Sequence, residues 1–135
     1  METLKVLEKK TPLRNLEHMQ DNYKVYTHRG ILVIEILVER FDFFEISESS
    51  GFLRTVMAEH RYPSMIFNLS KAMIIDSSVF GFIIEIRNAI DKNGNELVIV
   101  CRNRDILYIM DMLKITQIMR VFPSVDAAAD YLLGN

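Results

Sequence analysis

Three consecutive polar residues, Asp76-Ser77-Ser78, separate two apolar segments and are the part of the chain best suited to chemistry. Aspartate and serine are preferred at helix N-termini, because their side-chain oxygens accept hydrogen bonds from the unpaired N–H groups of the first turn. A serine at that position can also carry a phosphate without harm to the helix, because the helix dipole and the free N–H groups favour negative charge. The residue types alone leave both roles open.

Other arrangements that carry catalysis are poorly represented. The sequence has no glycine-rich phosphate-binding motif and no CxxC pair, and His18, His28 and His60 show no metal-ligand spacing. No histidine follows His60, which argues against a Ser-His-Asp hydrolase built on the serines. A receiver-type phosphoacceptor at Asp76 would need an adjacent acidic pair for Mg²⁺ and a late lysine, and neither is well placed. We therefore predict a protein without catalytic residues, metal site or cofactor.

The composition predicts one folded domain that binds neither nucleic acid nor membranes. Half of the 135 residues are hydrophobic and a quarter are charged, and the formal net charge is -2. No apolar run approaches the ~18 residues of a membrane span, and the charged N-terminus does not resemble a secretory signal. Cys101 ends an apolar segment and is expected to be a core thiol in a cytoplasmic protein. The eight methionines suit either the core or a partner-binding groove.

The elements that must position the triplet alternate between strands and helices. A glycine-containing turn at 28–30 indicates a hairpin, and Val79, Ile83, Ile86 and Ile90 have helical spacing. The predicted order is β-β-α-β-α-β-α-β-α, an α/β fold with a mixed, mostly parallel sheet. The expected elements are a hairpin over 23–38, a helix over 44–60, a strand over 65–69, a helix over 79–90, a strand over 96–101, a helix over 105–113, a short strand over 118–121 and a helix after Ser124.

Residues 1–21 are predicted to be an N-terminal arm, separate from a domain over 22–135. Four leucines lie among charges there, and Pro12 interrupts any single helix. The arm is expected either to be partly ordered or to cover a sheet edge or a second subunit, which would give a homodimer.

Several of these segments together resemble the STAS domain. They are the strand MIFNLS, the Asp-Ser-Ser triplet, the glycine in VFGF, the strand NGNELVIVC and the closing FPSVDAAADYL. STAS domains form bacterial anti-sigma-factor antagonists and the cytoplasmic tails of sulfate transporters. The resemblance covers roughly residues 23–133, and the predicted order of strands and helices is similar to that of the family.

The resemblance implies a non-enzymatic switch that regulates transcription. In such antagonists a serine kinase, which is also the anti-sigma factor, phosphorylates the second serine of the triplet, here Ser78. The unphosphorylated antagonist binds the kinase and frees the sigma factor, the phosphorylated form dissociates, and a serine phosphatase can reverse the modification. Asp76 would contact the partner or orient the serine hydroxyl, and Ser77 would cap the helix. The partner-binding residues implied in this way are Asp42, Asp76, Ser77, Ser78, Val79 and Phe80.

The sequence departs from the family pattern at two positions. Val79 follows the triplet where the family usually has glycine, and residues 39–41 replace a glycine that normally precedes the acidic position after the second strand. A β-branched residue after Ser78 stiffens the helix start and crowds an approaching kinase. The alternative function is therefore a scaffold or ligand-sensing STAS module in which Ser77 and Ser78 only cap a helix.

Overall fold

A β-hairpin opens the part of the chain that the computed structural model describes, residues 22–134. Strand β1 (Tyr23–His28) pairs antiparallel with β2 (Ile31–Ile36). Between them Arg29 and Gly30 both have positive φ, 53° and 82°, as the tight turns that match strand twist require. The predicted hairpin is confirmed. The predicted arm and any dimer contact through it lie outside the described residues.

The hairpin forms one side of a five-stranded sheet. Strands β4 (Met65–Asn68), β6 (Leu97–Val100) and β7 (Val121–Phe122) follow β2 in parallel, in the order β1-β2-β4-β6-β7. All four residues of β4 and of β6 are buried, as expected for strands covered on both faces. The mixed, mostly parallel sheet predicted from the sequence is confirmed.

Helices cover both faces of this sheet. They are α1 (Phe43–Glu59), α2 (Ser77–Lys92), α3 (Arg104–Met112) and α4 (Val125–Leu132). Because successive strand residues point to opposite faces, neighbouring residues of β4 enter different cores. Phe67 packs in the larger core with residues of α1, α2 and α3, whereas Ile66 packs in a smaller core with Ala128 and Ala129 of α4.

Two short strands were not predicted. Strand β3 (Arg40–Phe41) pairs in parallel with β5 (Ile74–Ile75), separately from the main sheet. The sequence predicts only a strand end and a crossing segment here, because two residues are too few to show the alternation of a strand.

The strand predicted over 118–121 is wrong in its bounds. Lys114 adopts a left-handed conformation, Ile115–Gln117 form a 3₁₀ turn, and residues 118–120 have no strand structure. This turn buries Ile115 and Met119, and only the two residues of β7 pair with β6. The last helix begins as predicted, with the Ser124 side chain accepting a hydrogen bond from the Ala127 N–H.

Two glycines allow a matched stability test. Gly51 lies inside α1 and Gly30 in the hairpin turn, and a Cβ at either position would meet nothing within 4 Å. Gly51→Ala should raise the free energy of unfolding by up to about 1 kcal/mol, because alanine favours the helix. Gly30→Ala should lower it by about 1 kcal/mol, because its φ of +82° disfavours a side chain. Urea denaturation measures both changes in the free energy of unfolding. Equal effects of the two substitutions would contradict the placement of Gly51 in a helix and of Gly30 in a turn with positive φ.

Candidate functional site

The short β3–β5 pairing brings the N-termini of α1 and α2 together. Phe41 lies opposite Ile75 in this parallel pair, and each is followed directly by an aspartate that caps a helix. Asp42 caps α1 and accepts a hydrogen bond from the Glu45 N–H at 3.1 Å. Asp76 caps α2 in the same way. We call residues 42–44 and 76–78 the paired N-termini.

The Asp76 carboxylate serves both helices. Its Oδ1 accepts hydrogen bonds from the Ser78 backbone N–H at 3.1 Å and from the Ser78 hydroxyl at 2.5 Å. Its Oδ2 accepts from the Phe43 backbone N–H of α1 at 3.0 Å. First-turn N–H groups have no acceptor inside their own helix. One side chain therefore supplies acceptors to two helix N-termini.

These contacts keep Asp76 ionised. Partial burial acts to raise its pKa, but hydrogen bonds from the Ser78 hydroxyl and from the backbone N–H groups of Phe43, Val79 and Ser78 outweigh burial and lower the pKa. The carboxylate therefore remains an acceptor at neutral pH and directs the Ser78 hydroxyl proton toward itself.

The structure places the predicted site residues in two different environments. Asp42, Asp76, Ser77 and Ser78 lie at the paired N-termini, where Asp76 and Ser77 are exposed and Ser78 is half-buried. The cap is Asp76, and Ser77 is the first helical residue, so the expectation that Ser77 caps the helix is corrected.

Two of the implied partner-binding residues belong to the core instead. Val79 and Phe80 are 0% and 2% exposed, because they lie on the face of α2 that packs in the larger core. Their side chains do not reach the surface and are therefore not available to a partner.

The paired N-termini and the residues just before Asp76 carry exposed apolar side chains that were not predicted from the sequence. Phe43 and Phe44 are 64% and 71% exposed at the start of α1, and Met73 and Ile74 are exposed just before Asp76. The sequence does carry a signal, since two phenylalanines directly follow the α1 cap. Their exposure depends on which face of α1 packs against the sheet, and hydropathy alone does not reveal that.

Glu45 fixes the first turn of α1 against the hairpin. Its Oε2 accepts hydrogen bonds from the Tyr23 hydroxyl at 2.7 Å, the Ser49 hydroxyl at 2.9 Å and the Asn22 side-chain amide at 3.1 Å. Burial raises the pKa of Tyr23, so its hydroxyl remains a donor. These hydrogen bonds therefore hold the first turn of α1, and with it residues 42–44 of the paired N-termini, in a fixed position.

The remaining candidate groups have structural roles. Cys101 is buried, and burial raises the pKa of its thiol, as expected of a core cysteine. Met110 and Met119 are also buried, whereas Met112 is exposed. Between residues 22 and 134, no group of three or more His, Cys, Asp or Glu side chains could hold a metal ion. No helix in that part of the chain is long and apolar enough to span a membrane.

One known protein family matches most of the chain. The family model described as the STAS domain matches residues 22–128. A comparison with curated proteins found no match.

Solved structures with the same fold include both free-standing proteins and a domain of a larger one. A protein of Thermotoga maritima assigned as an anti-sigma factor antagonist has a TM-score of 0.69 at 17% identity, over 85% of this chain and 97% of its own. The Bacillus cell fate determinant SpoIIAA in its phosphorylated form has a TM-score of 0.60 at 14% identity, over 81% and 97%. The murine anion transporter solute carrier 26 family member A9 has a TM-score of 0.65 at 16% identity, over 83% and 19%. At these identities the likeness shows the fold.

The double role of Asp76 predicts a pH-dependent stability effect. Asp76→Ala should lower the free energy of unfolding by about 1–2 kcal/mol at neutral pH, because two helices lose an acceptor. The folded-state pKa is lowered, so the contribution of the carboxylate is complete above the unfolded aspartate pKa of about 4 and disappears as pH falls through the folded value. The difference from wild type in thermal or urea denaturation should therefore shrink in acid.

Ser77→Ala is the matched control for this prediction. It alters neither cap and should change stability by less than about 0.5 kcal/mol. An equal loss in both variants, or a loss from Asp76→Ala that does not depend on pH, would contradict the assignment of the cap.

Proposed function

The chain belongs to the STAS domain family, and we propose that it is an anti-sigma-factor antagonist that acts by partner switching in the bacterial cytoplasm. Its partner is a serine kinase that also serves as an anti-sigma factor. The unphosphorylated protein binds this kinase and so frees the sigma factor. Phosphorylation of Ser78 ends the complex, and a serine phosphatase restores it. The observation that carries the proposal is the Ser78 hydroxyl at the N-terminus of α2, on a surface shared with the N-terminus of α1.

Ser78 is well placed to carry a phosphate. In the kinase reaction, the bond between the γ-phosphorus of ATP and its bridging oxygen breaks as the bond to Ser78 Oγ forms, which releases ADP and the hydroxyl proton. The resulting negative charge lies at the N-terminus of a 16-residue helix, where the dipole and the N–H groups stabilise it. The modification can therefore change a surface and leave the fold intact.

The partner-binding surface in this proposal combines charge with apolar area. Asp42, Asp76, Ser77 and Ser78 supply the polar part, and the exposed Phe43 and Phe44 supply the apolar part. Exposed aromatic side chains are typical anchors of protein interfaces. A phosphate on Ser78 adds negative charge to the centre of this surface, beside two aspartates, and desolvating that charge in a complex is costly.

The proposed function is not enzymatic. Both histidines in the described part of the chain are engaged away from Ser78: His28 contacts Asp126 of α4 at 2.7 Å, and the His60 ring contacts the Val56 carbonyl at 2.9 Å. The Ser78 hydroxyl instead donates to a carboxylate whose pKa is lowered, which is a poor general base. Ser78 is thus the acceptor of a partner's reaction, and no cofactor is required.

A second candidate function is a scaffold or ligand-sensing module that is never phosphorylated. The similarity to the murine transporter, in which the matched region is 19% of the chain, favours a role within a larger assembly. Val79 does not distinguish the two candidates, because its side chain is 0% exposed and packs in the larger core, away from an approaching kinase. The two candidates differ in whether Ser78 is ever modified.

The first test is the intact mass of the protein from its native host, before and after phosphatase treatment. A phosphate mapped to Ser78 by peptide fragmentation would support the switch. Unmodified protein in growth and under stress alike would overturn the switch and favour the scaffold.

Ser78→Asp should separate binding from stability. Once the kinase has been purified, calorimetry should show at least about tenfold weaker binding, because the added carboxylate must be desolvated when the complex forms. The midpoint of thermal unfolding should be nearly unchanged. Ser78→Ala is the control and should bind the kinase as tightly as wild type. Unaltered binding by Ser78→Asp would refute regulation at this residue.

Phe44→Ala tests the apolar part of the surface. Truncation of a side chain that is 71% exposed should not harm the fold, but it should weaken kinase binding by about tenfold, the loss typical of an interface anchor. Tyr108→Ala is a matched control, because Tyr108 is an aromatic residue 66% exposed on α3. Similar affinity losses in both variants would argue against a surface centred on the paired N-termini.

A further inference from the structure

A single carboxylate connects Ser78 with a backbone group of a different helix. Asp76 accepts from the Ser78 hydroxyl through Oδ1 and from the Phe43 N–H through Oδ2. The carboxylate group is planar and rigid, so its two oxygens move together. Anything that displaces Oδ1 from Ser78 must also move Oδ2 relative to Phe43.

A phosphate on Ser78 would act directly on this contact. The esterified Oγ has no proton to donate, so the hydrogen bond to Asp76 Oδ1 would become a contact between two acceptors. The phosphate carries a charge of about -1.5 to -2 and would repel the ionised Asp76. It would also compete for the N–H groups of the first turn of α2, one of which Asp76 now accepts.

We propose that Asp76 is the positioning residue that transmits the phosphorylation state of Ser78 to the N-terminus of α1. In the unphosphorylated protein Asp76 holds the Phe43 N–H and with it the start of α1. In the phosphorylated protein Asp76 rotates away from Ser78 and releases that N–H. This inference rests on the proposed function and names how the modification reaches the part of the surface that carries Phe43 and Phe44.

The surrounding contacts confine the change to the first turn of α1. In the segments that precede the two caps, the backbone N–H groups of Met73 and Ile74 both donate to the Glu39 carbonyl, at 2.7 and 2.9 Å. These bonds fix the strand before Asp76. Within α1, the Glu45 N–H is held by the Asp42 side chain and the Ile46 N–H by the Asp42 carbonyl. The Phe43 N–H, by contrast, depends on Asp76. Loss of this hydrogen bond frees Phe43, next to Phe44, and leaves the rest of α1 anchored.

The consequence for binding is that two parts of the surface change together. Phosphorylation adds charge at the N-terminus of α2. It also loosens the exposed side chains of Phe43 and Phe44 at the N-terminus of α1. A partner that contacts both helices would therefore lose an ordered apolar anchor as well as meet a repulsive charge. A phosphate on Ser77 would not break this contact, because the Asp76 side chain is hydrogen-bonded to Ser78 and Phe43.

The test uses the full chain with phosphoserine incorporated at residue 78 during translation, so that no native kinase is needed. Nuclear magnetic resonance then measures the solvent exchange rate and chemical shift of the Phe43 amide. Phosphoserine at 78 should speed exchange of this amide by roughly tenfold, the factor expected for loss of one charge-assisted hydrogen bond. The Glu45 and Ile46 amides should change by less than about twofold, because Asp42 still holds them.

Asp76→Asn is the matched variant. Asparagine has the same shape but no charge, and its amide can donate to the phosphate, so the side chain need not leave. Phosphoserine at 78 in Asp76→Asn should therefore change Phe43 exchange by less than about twofold. Phosphoserine at residue 77 in the otherwise native chain is a second control that needs no substitution at Asp76, and it too should leave Phe43 exchange nearly unchanged.

Two results would overturn the inference. Unchanged Phe43 exchange with phosphoserine at 78 would mean that the carboxylate stays in place. The same increase in Asp76→Asn as in the native sequence would mean that the phosphate acts on α1 without Asp76. The proposed function fails separately, if Ser78 is never phosphorylated in the native host, whatever the Phe43 amide does.

Discussion

The pairing of two very short strands is the constraint on which the site depends. Strands β3 and β5 contribute only two residues each, yet their parallel register puts Phe41 opposite Ile75. The next residue of each segment caps a helix, so this register also sets Asp42 beside Asp76. Without it, the N-termini of α1 and α2 would have no common acceptor. A local backbone pairing therefore creates a surface that neither helix could form alone.

The hydrophobic core fixes the orientation of this surface. Val79 and Phe80 are buried directly after the triplet, which holds α2 at its first turn and leaves only Asp76, Ser77 and part of Ser78 toward solvent. On α1 the first buried apolar residue is Ile46, so the two phenylalanines before it project outward. The same packing that stabilises the domain thus decides which side chains a partner can reach.

The sequence allowed the fold to be predicted well and the site only in part. The alternation of strands and helices, the capped helix after the triplet and the Ser124 cap are local features, and local periodicity and residue type reveal them. The β3–β5 pair is too short to show periodicity. The contact of Asp76 with the Phe43 N–H joins residues 33 positions apart, and only the tertiary structure brings them together. The helical spacing of Val79 with Ile83, Ile86 and Ile90 did indicate a buried face, whereas the exposure of Phe43 and Phe44 depends on how α1 packs against the sheet.

The closing helix α4 has a consequence for how the domain forms during synthesis. Among the helices of residues 22–134, α4 is the one that covers the sheet face carrying Val33, Ile66 and Val98 in the smaller core. It is also tied to the hairpin by contacts of His28 with Asp126 and of Arg29 with Asp130, residues 98 and 101 positions apart. The first and last elements of the domain are therefore neighbours. Within residues 22–134, the elements made before α4 leave this face of the central sheet without its helix, so packing of the smaller core is completed by the last helix of the domain rather than by its first elements.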